Sequence, residues 1–232
     1  MQNGGNAVEN AYNSYFGRVI YDYAYKYLLQ ANIRYDGSSR FHKDYRWASF
    51  PSVAVGWVAT EESFIKDLNL RALDFFKLRA SWGTLGNERI GNYPYQAIMN
   101  FNNALFIDGN GNIVSKTSAA QVGYNIRNIT WETTESWNVG FDATLFSNRL
   151  SLSADYYKKT THDMLLALEI PSFMGYDNPD QNAGRMHTKG WEAQVGWSDQ
   201  IGDLKYSVSA NISDYKSMMG NLSGVVFLGD QI

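Results

Sequence analysis

"TESWNVGFDATLFSNRLSLSADYYKKTTHD", residues 134–163, is two alternating runs hinged on Ser147-Asn148-Arg149. In the first run Trp137, Val139, Phe141, Ala143 and Leu145 share one parity, and Ser136, Asn138, Gly140, Asp142 and Thr144 share the other. After the hinge, Leu150, Leu152, Ala154 and Tyr156 alternate with Ser151, Ser153, Asp155 and Tyr157. Successive side chains of a strand point to opposite faces, so a period of two predicts a ribbon with one apolar and one polar face. A soluble sheet and a membrane barrel both alternate this way, and the rest of the chain has to separate them.

The same alternation recurs on both sides of this hairpin. Trp191, Ala193, Val195 and Trp197 oppose Gly190, Glu192, Gln194 and Gly196, and Leu204, Tyr206, Val208, Ala210 and Ile212 oppose Lys205, Ser207, Ser209 and Asn211. Toward the N-terminus, Phe76, Leu78, Ala80 and Trp82 oppose Lys77, Arg79, Ser81 and Gly83. Tyr27, Leu29, Ala31, Ile33 and Tyr35 oppose Gln30, Asn32, Arg34 and Asp36; Val53, Val55 and Trp57 oppose Ser52, Ala54 and Gly56. With a less regular run near 15–24, this predicts about eight half-exposed antiparallel strands.

Composition agrees. Aromatic residues make up 15% of the chain, with sixteen Tyr and seven Trp, while Pro is scarce at four, which suits strands joined by polar loops. No cysteine is present, so disulfides, thiolate metal sites and cysteine nucleophiles are excluded. A net charge of −3 without a block of like charge gives no reason to expect nucleic acid. No apolar run approaches the roughly 18–20 residues of a membrane helix. Residues 1–20 lack the basic start and apolar stretch of a signal peptide.

The connections alternate in length. Short ones lie near Asp22–Tyr25, Ser147–Arg149 and Asp199–Asp203. A medium one, Glu61–Leu73, has room for a helical turn, and long ones lie at Gly37–Trp47, about 85–133 and about 163–187. Short turns at one end and long loops at the other form the pattern of outer-membrane barrels. On that orientation Tyr27, Trp57, Phe76, Trp197 and Tyr206 fall near the short turns, and Tyr35, Trp82, Trp137, Tyr156 and Trp191 near the long loops. Two aromatic belts flanking an apolar band suit a lipid-facing surface. The opposite parity, with Arg34, Arg79, Asp142, Asp155 and Glu192 among Ser, Asn and Gly, suits a watery lumen. The apolar parity would equally serve as the core face of a soluble sandwich; loop asymmetry and the double belt favour the barrel.

Four stretches also carry a resemblance. "YLLQANIRYDGSSRFHKDYRWASFPSVAVGWVATEESF" (27–64), "FKLRASWGTLGNERIGNYPY" (76–95), "ITWETTESWNVGFDATLFSNRLSLSADYYKKTTHDML" (129–165) and "AGRMHTKGWEAQVGW" (183–197) resemble, in order, segments of the SusC/RagA family of TonB-dependent outer-membrane transporters. The resemblance implies a bacterial outer-membrane protein with a 22-stranded barrel and a plug in its lumen, a class of plugged transporters. It implies TonB-driven uptake of a bulky oligosaccharide or peptide, with a SusD-like lipoprotein as lid. No plug domain and no TonB-contacting segment is visible in the chain, and "GNLSGVVFLGDQI" does not read as a closing strand. Residues 1–232 are therefore expected to be part of one transmembrane β-barrel domain, a middle piece whose two unpaired edges need neighbours. A complete small outer-membrane barrel and a soluble aromatic-rich glycan-binding β domain stand as alternatives.

No enzymatic motif emerges. His42, His162 and His187 are too scattered for a zinc site and read as solvated loop residues. Neither GxSxG nor a phosphate-binding GxxxxGK[ST] is present. In "IDGNGNIV" (107–114) Asp108, Asn110 and Asn112 imitate the opening of a calcium loop without its distal Glu, and a hairpin turn is the favoured reading. Glu61 and Glu62 read as solvated charge in a short-end turn. Gly123–Trp131 and Phe173–Arg185, rich in Asn, Tyr, Gly and Asp, are candidates to touch solute. No catalytic residue, cofactor or metal ligand is expected; the lipid bilayer is the partner implied by the pattern itself.

Overall fold

The hinge of the opening hairpin is a four-residue turn. Phe146, Ser147 and Asn148 all take positive φ (59°, 58° and 61°), and Leu145 faces Leu150 across it. Asn tolerates this left-handed conformation because its short side chain bonds locally; here Thr144 donates its hydroxyl to Asn148 Oδ1 at 3.1 Å. In the computed structural model, which describes residues 7–167 and 169–220, this turn joins β7 (Glu132–Leu145) to β8 (Leu150–His162).

Around that hairpin lie β1 (Tyr12–Tyr23), β2 (Tyr27–Ser38), β3 (Trp47–Val58), β4 (Leu73–Asn87), β11 (Arg185–Ile201) and β12 (Leu204–Met219). These eight form one antiparallel sheet in the order β1-β2-β3-β4-β7-β8-β11-β12. Every neighbour is the next long strand in the chain, so the sheet is up-and-down throughout. Strands of 12 to 17 residues are about 40–58 Å long at 3.4 Å per residue, well beyond the five or six residues usual in globular domains. A 3-10 turn (Ala59–Glu61) follows β3, and the Glu61–Leu73 connection contains the short helix α1 (Ser63–Asp67), the helical turn expected there.

The long loops are more structured than the sequence suggests. Residues 88–131 contain a hairpin of β5 (Ile98–Ile107) and β6 (Ile113–Val122), and residues 163–184 contain the short pair β9 (Leu165–Ala167) and β10 (Asp180–Asn182). The Gly-Asn segment is the β5–β6 turn: Asp108 accepts the backbone N–H groups of Asn110 and Asn112 at 2.9 and 2.8 Å, and Gly111 has φ +83°. From residue 221 onward, the reading of "GNLSGVVFLGDQI" falls outside the described residues.

Most of the buried core lies in the long loops, with Phe50 added from β3. Phe41, Phe50, Ile90, Ile126, Ile129 and Trp131 form one buried cluster at the long-loop end. Trp131 sits at its centre, 5.2 Å from the Phe41 ring and 5.5 Å from that of Phe50, and donates its indole N–H to the Arg46 carbonyl at 3.0 Å. The sheet's apolar face stays open: Trp137, Val139 and Tyr156 are 55%, 59% and 54% exposed. A sandwich would cover such a face, so the soluble-sandwich alternative does not fit. β1 and β12 are the two ends of the sheet, so among the described residues the eight strands do not close on each other, and the complete small barrel does not fit either.

Removing the central ring should loosen the loops without unpairing the strands. Trp131→Ala is predicted to cost about 3–5 kcal/mol of loop-core stability, read as new protease cleavage within residues 88–131 while β-sheet circular dichroism is retained. An unchanged cleavage pattern would show that this cluster does not hold the loops.

Candidate functional site

Backbone register carries the parity of the opening hairpin across the sheet. On the polar face one row of paired residues runs Arg79, Gly140, Asp155 and Glu192 from β4 to β11. Asp142 lies one step along, opposite Lys77, and Arg34 occupies the same face on β2. All five polar candidates therefore share one face, and three of them meet. Arg79 donates Nε and Nη2 to Asp142 (2.8 and 3.1 Å), and Nη1 and Nη2 to Asp155 (3.0 and 2.8 Å). Such forked guanidinium–carboxylate bonds are the strong, orienting kind. Asp155 is two strands from Arg79, and the reach is possible because Gly140 lies between them; a Cβ at Gly140 would collide with the Asp155 carboxylate. Glu192 sits beside Asp155 but joins no ion pair among the described residues. Arg34 instead pairs with Asp36 at 2.9 Å and the Tyr12 hydroxyl at 3.2 Å, while Ser14 donates to the other oxygen of Asp36 at 2.5 Å.

Besides a depression of about 410 Å³ at Gln30, Ala54, Lys77, Arg79, Ser81 and Asn138, two more open on this face. One, lined by Asn32, Arg34, Asp36, Ser52, Ser81 and Ser136 among others, has a volume of about 430 Å³. The other, about 300 Å³, is bordered by Ser153, Asp155, Glu192, Gln194, Asn211 and Ser213. Both offer hydroxyls, amides and carboxylates at an open surface, the first beside the apolar side chains of Phe50 and Leu85.

The ten belt aromatics read from the sequence all lie on the opposite face, whereas Phe16, Phe50, Tyr157 and Tyr215 share the polar parity; the placement of the ten has a slope. The row through Trp191 passes Tyr156, Val139, Ala80 and Val55 and reaches β2 at Leu29, six residues short of Tyr35. Six residues are about 20 Å and five strand spacings about 24 Å, so the upper belt is inclined about 40° to the hydrogen-bond rows. The row through Tyr27 and Trp57 reaches β12 at Ile212, six residues from Tyr206 toward the short turns. Over six spacings this is about 35°, in the same sense. Tyr15 and Trp47 extend the upper belt: Trp47 stacks on Tyr35 at 4.9 Å and on Tyr15 at 6.1 Å, and its ring lies where a Cβ of Gly37 would be (2.7 Å).

Each belt has a carboxylate receiving its polar tips. At the short-turn end Glu62 accepts the Tyr27 hydroxyl (2.6 Å), the Trp57 indole N–H (3.1 Å) and the Lys26 ammonium (3.3 Å). At the long-loop end Glu135 accepts the indole N–H groups of Trp82 (2.7 Å) and Trp137 (3.1 Å) on one oxygen. Glu62 is thus not the solvated charge expected: its side chain is 12% exposed. Hydrogen bonds from Tyr27 and Trp57 hold its pKa below the usual carboxylate value. Glu61, which pairs with Lys66 at 2.6 Å, is exposed as expected.

Other expectations need correction. His162 and His187 belong to β8 and β11, not to loops, with His187 against the Thr160 hydroxyl at 3.2 Å. His42 is in a loop but largely buried, its ring edge-on to Tyr95 and 3.2 Å from Asp44. In Gly123–Trp131, Ile126, Ile129 and Trp131 are buried in the loop core, while Tyr124, Asn125, Arg127 and Asn128 are exposed. In Phe173–Arg185, Phe173 is open to solvent at 89%. No group of His, Cys, Asp and Glu suited to a metal is found among the described residues.

This up-and-down antiparallel sheet, polar on one face and apolar on the other, is a segment of a transmembrane β-barrel wall, as the comparisons show. The chain belongs to the family described as "TonB dependent receptor-like, beta-barrel", whose profile matches residues 2–230, and within it to the SusC/RagA transporters. It is 39% identical over 192 residues to TonB-dependent receptor P39 of Formosa agariphila, covering 83% of this chain and 18% of that protein. It is 34% identical over 221 residues to TonB-dependent receptor SusC of Bacteroides thetaiotaomicron, covering 92% and 22%. Among solved structures, the RagAB peptide transporter superposes with a TM-score of 0.81 at 29% identity, over 94% of this chain and 23% of that one. The chain thus spans about a fifth of the length of these relatives. They are receptors and transporters, not enzymes.

Two measurements probe this geometry. Arg79→Met leaves Asp155, only 8% exposed, without its cation. It is predicted to destabilise by about 1–3 kcal/mol, less than the 3–5 of a fully buried pair because Arg79 itself is one-third exposed. Adding Asp155→Asn should recover part of the loss, and a urea titration showing no such coupling would contradict the network. For Glu62 the folded pKa is the depressed one, so its ionised form contributes stability above the ordinary carboxylate range and loses it as pH falls through the folded value. The stability gap between the wild type and Glu62→Gln should therefore be widest at neutral pH and shrink in acid. A gap independent of pH would contradict the assigned role.

Proposed function

We propose that residues 1–232 form part of one barrel domain of a TonB-dependent importer in a bacterial outer membrane. The Trp- and Tyr-bearing face meets lipid, and the face of Arg34, Arg79, Asp142, Asp155 and Glu192 lines the lumen. The observation that carries this reading is the common incline of the two aromatic belts. Barrel strands tilt by about 35–45° from the barrel axis, so a belt level with the membrane must cross the hydrogen-bond rows at that angle. Belts at about 40° and 35° in the same sense meet this requirement; the core face of a soluble sheet has no reason to.

The wall performs no covalent chemistry. Its apolar face anchors the strands, with Tyr27, Trp57, Trp82, Trp137, Tyr156, Trp191 and Trp197 at the two interfaces. Its polar face keeps the lumen hydrated, with Arg79 tying three strands together. Solute passes along this face; its depressions of hydroxyls, amides and carboxylates suit bulky hydrogen-bonding nutrients such as oligosaccharides or peptides. RagAB is a peptide transporter, and that similarity, together with the likeness to SusC, supports import of such a solute. The same two likenesses support a SusD-like lipoprotein over the long-loop end, and energy from TonB through parts outside this chain.

The face assignment is tested by a matched pair. Val139→Arg, on the apolar face, is predicted to impair membrane assembly, because an arginine at mid-bilayer costs roughly 2–4 kcal/mol. Asn138→Arg, one residue away on the polar face, should assemble normally. The measurement is the amount of heat-modifiable, folded protein in the outer-membrane fraction, and equal assembly of both variants would overturn the assignment.

A further inference from the structure

Directly beyond the upper aromatic belt, the register lines up three lysines. Trp137 pairs with Lys158, Lys158 with Lys189, and Lys189 with Lys216, on β7, β8, β11 and β12. The row one step toward the short turns holds Tyr156 and Trp191, so the lysines are on the apolar-parity face and just past its belt. All three are exposed. Like charges directly opposite each other on a sheet repel, yet none of the three is in an ion pair among the described residues. The neighbouring carboxylate of Glu135 is engaged by Trp82 and Trp137, and Asp214 lies one row closer to the band, opposite Trp191.

Strand spacing sets these Cα atoms about 5 Å apart, so the three ammonium groups span about 10 Å along the sheet. A lysine is a flexible point charge with three donors, able to gather around phosphate oxygens from several directions. The length of the side chain also lets the charge rise from an apolar surface to the headgroup level. We propose that Lys158, Lys189 and Lys216 form a binding site for the phosphate of an anionic membrane lipid, held against the outer wall at the long-loop end. The proposal rests on the reading that this face meets lipid. Depth selects lipid over soluble phosphate: the ladder is one row from Tyr156 and Trp191, where headgroups lie once those rings occupy the interface. The bound lipid offsets part of the ladder's charge and gives this part of the wall a fixed neighbour in the membrane.

The test uses the full-length transporter that carries this segment, in nanodiscs of phosphatidylcholine with a minor fraction of phosphatidylglycerol. Native mass spectrometry reads the phosphatidylglycerol retained by the wild type, by the triple variant Lys158→Gln/Lys189→Gln/Lys216→Gln, by the triple Lys→Arg variant, and by Lys159→Gln on the polar face. Each lysine near the surface contributes about a fivefold factor. The Gln triple is therefore expected to lose retention about a hundredfold, with the Arg triple and Lys159→Gln close to wild type. A label on Ala193→Cys, quenched by brominated acyl chains, reports separately whether the face meets lipid, in the wild type and in the Gln triple. Quenching with undiminished retention in the Gln triple overturns this proposal alone. Absence of quenching overturns the lipid-facing reading and this proposal with it. Displacement of the lipid by inorganic phosphate at equal concentration would assign the site to soluble phosphate and overturn the lipid assignment.

Discussion

Everything in this structure depends on the continuous antiparallel register of eight long strands. A shift of one residue at any of the seven pairings would send all later side chains to the opposite face. The observed register does the reverse: it joins Leu29, Val55, Ala80, Val139, Tyr156 and Trp191 into one apolar row and Arg79, Gly140, Asp155 and Glu192 into a polar one. The hydrophobic pattern and the Arg79 fork support each other here. The fork locks β4, β7 and β8 in step from the polar side, while the apolar side supplies the reason the step matters.

The belts show how such a wall deals with polar atoms on an apolar surface. A Trp or Tyr at an interface brings a donor that must be satisfied. Here Glu62 collects the donors of Tyr27 and Trp57, and Glu135 those of Trp82 and Trp137. The aromatic positions are thereby fixed by the protein itself. The long loops solve a different problem. They bring Phe41 and Trp131 onto Phe50 of β3 in one buried cluster, which gives the wide connections a core that a single-layer wall cannot provide.

The fold is legible in the sequence because a period of two is a local property. Residues 134–163 display the strands, the hinge and both faces without reference to any other part of the chain. The belts are legible too, once the alternation of short and long connections sets an up and a down. What is not legible depends on partners distant in the chain. Arg79 reaches carboxylates 63 and 76 residues away, and the glycine that lets it through to the farther one is on the strand between them. Glu62 looks like solvated charge because its partners Tyr27 and Trp57 are strand ends that only folding brings together. β5 is hidden because "IMNFNNALFI" mixes apolar and amide residues without strict alternation. Trp47 reads as the end of a loop, and only the folded chain shows Gly37 making room for its ring.

Which medium each face meets can be read directly by one scan. The chain has no cysteine of its own, so single cysteines carrying a nitroxide can be placed from Asn138 through Asp142 in the full-length protein in bilayers. The account predicts that accessibility alternates residue by residue: positions 139 and 141 to oxygen dissolved in lipid, positions 138, 140 and 142 to a water-soluble nickel chelate. An alternation of the opposite phase, or equal access of the chelate to both faces, would contradict it.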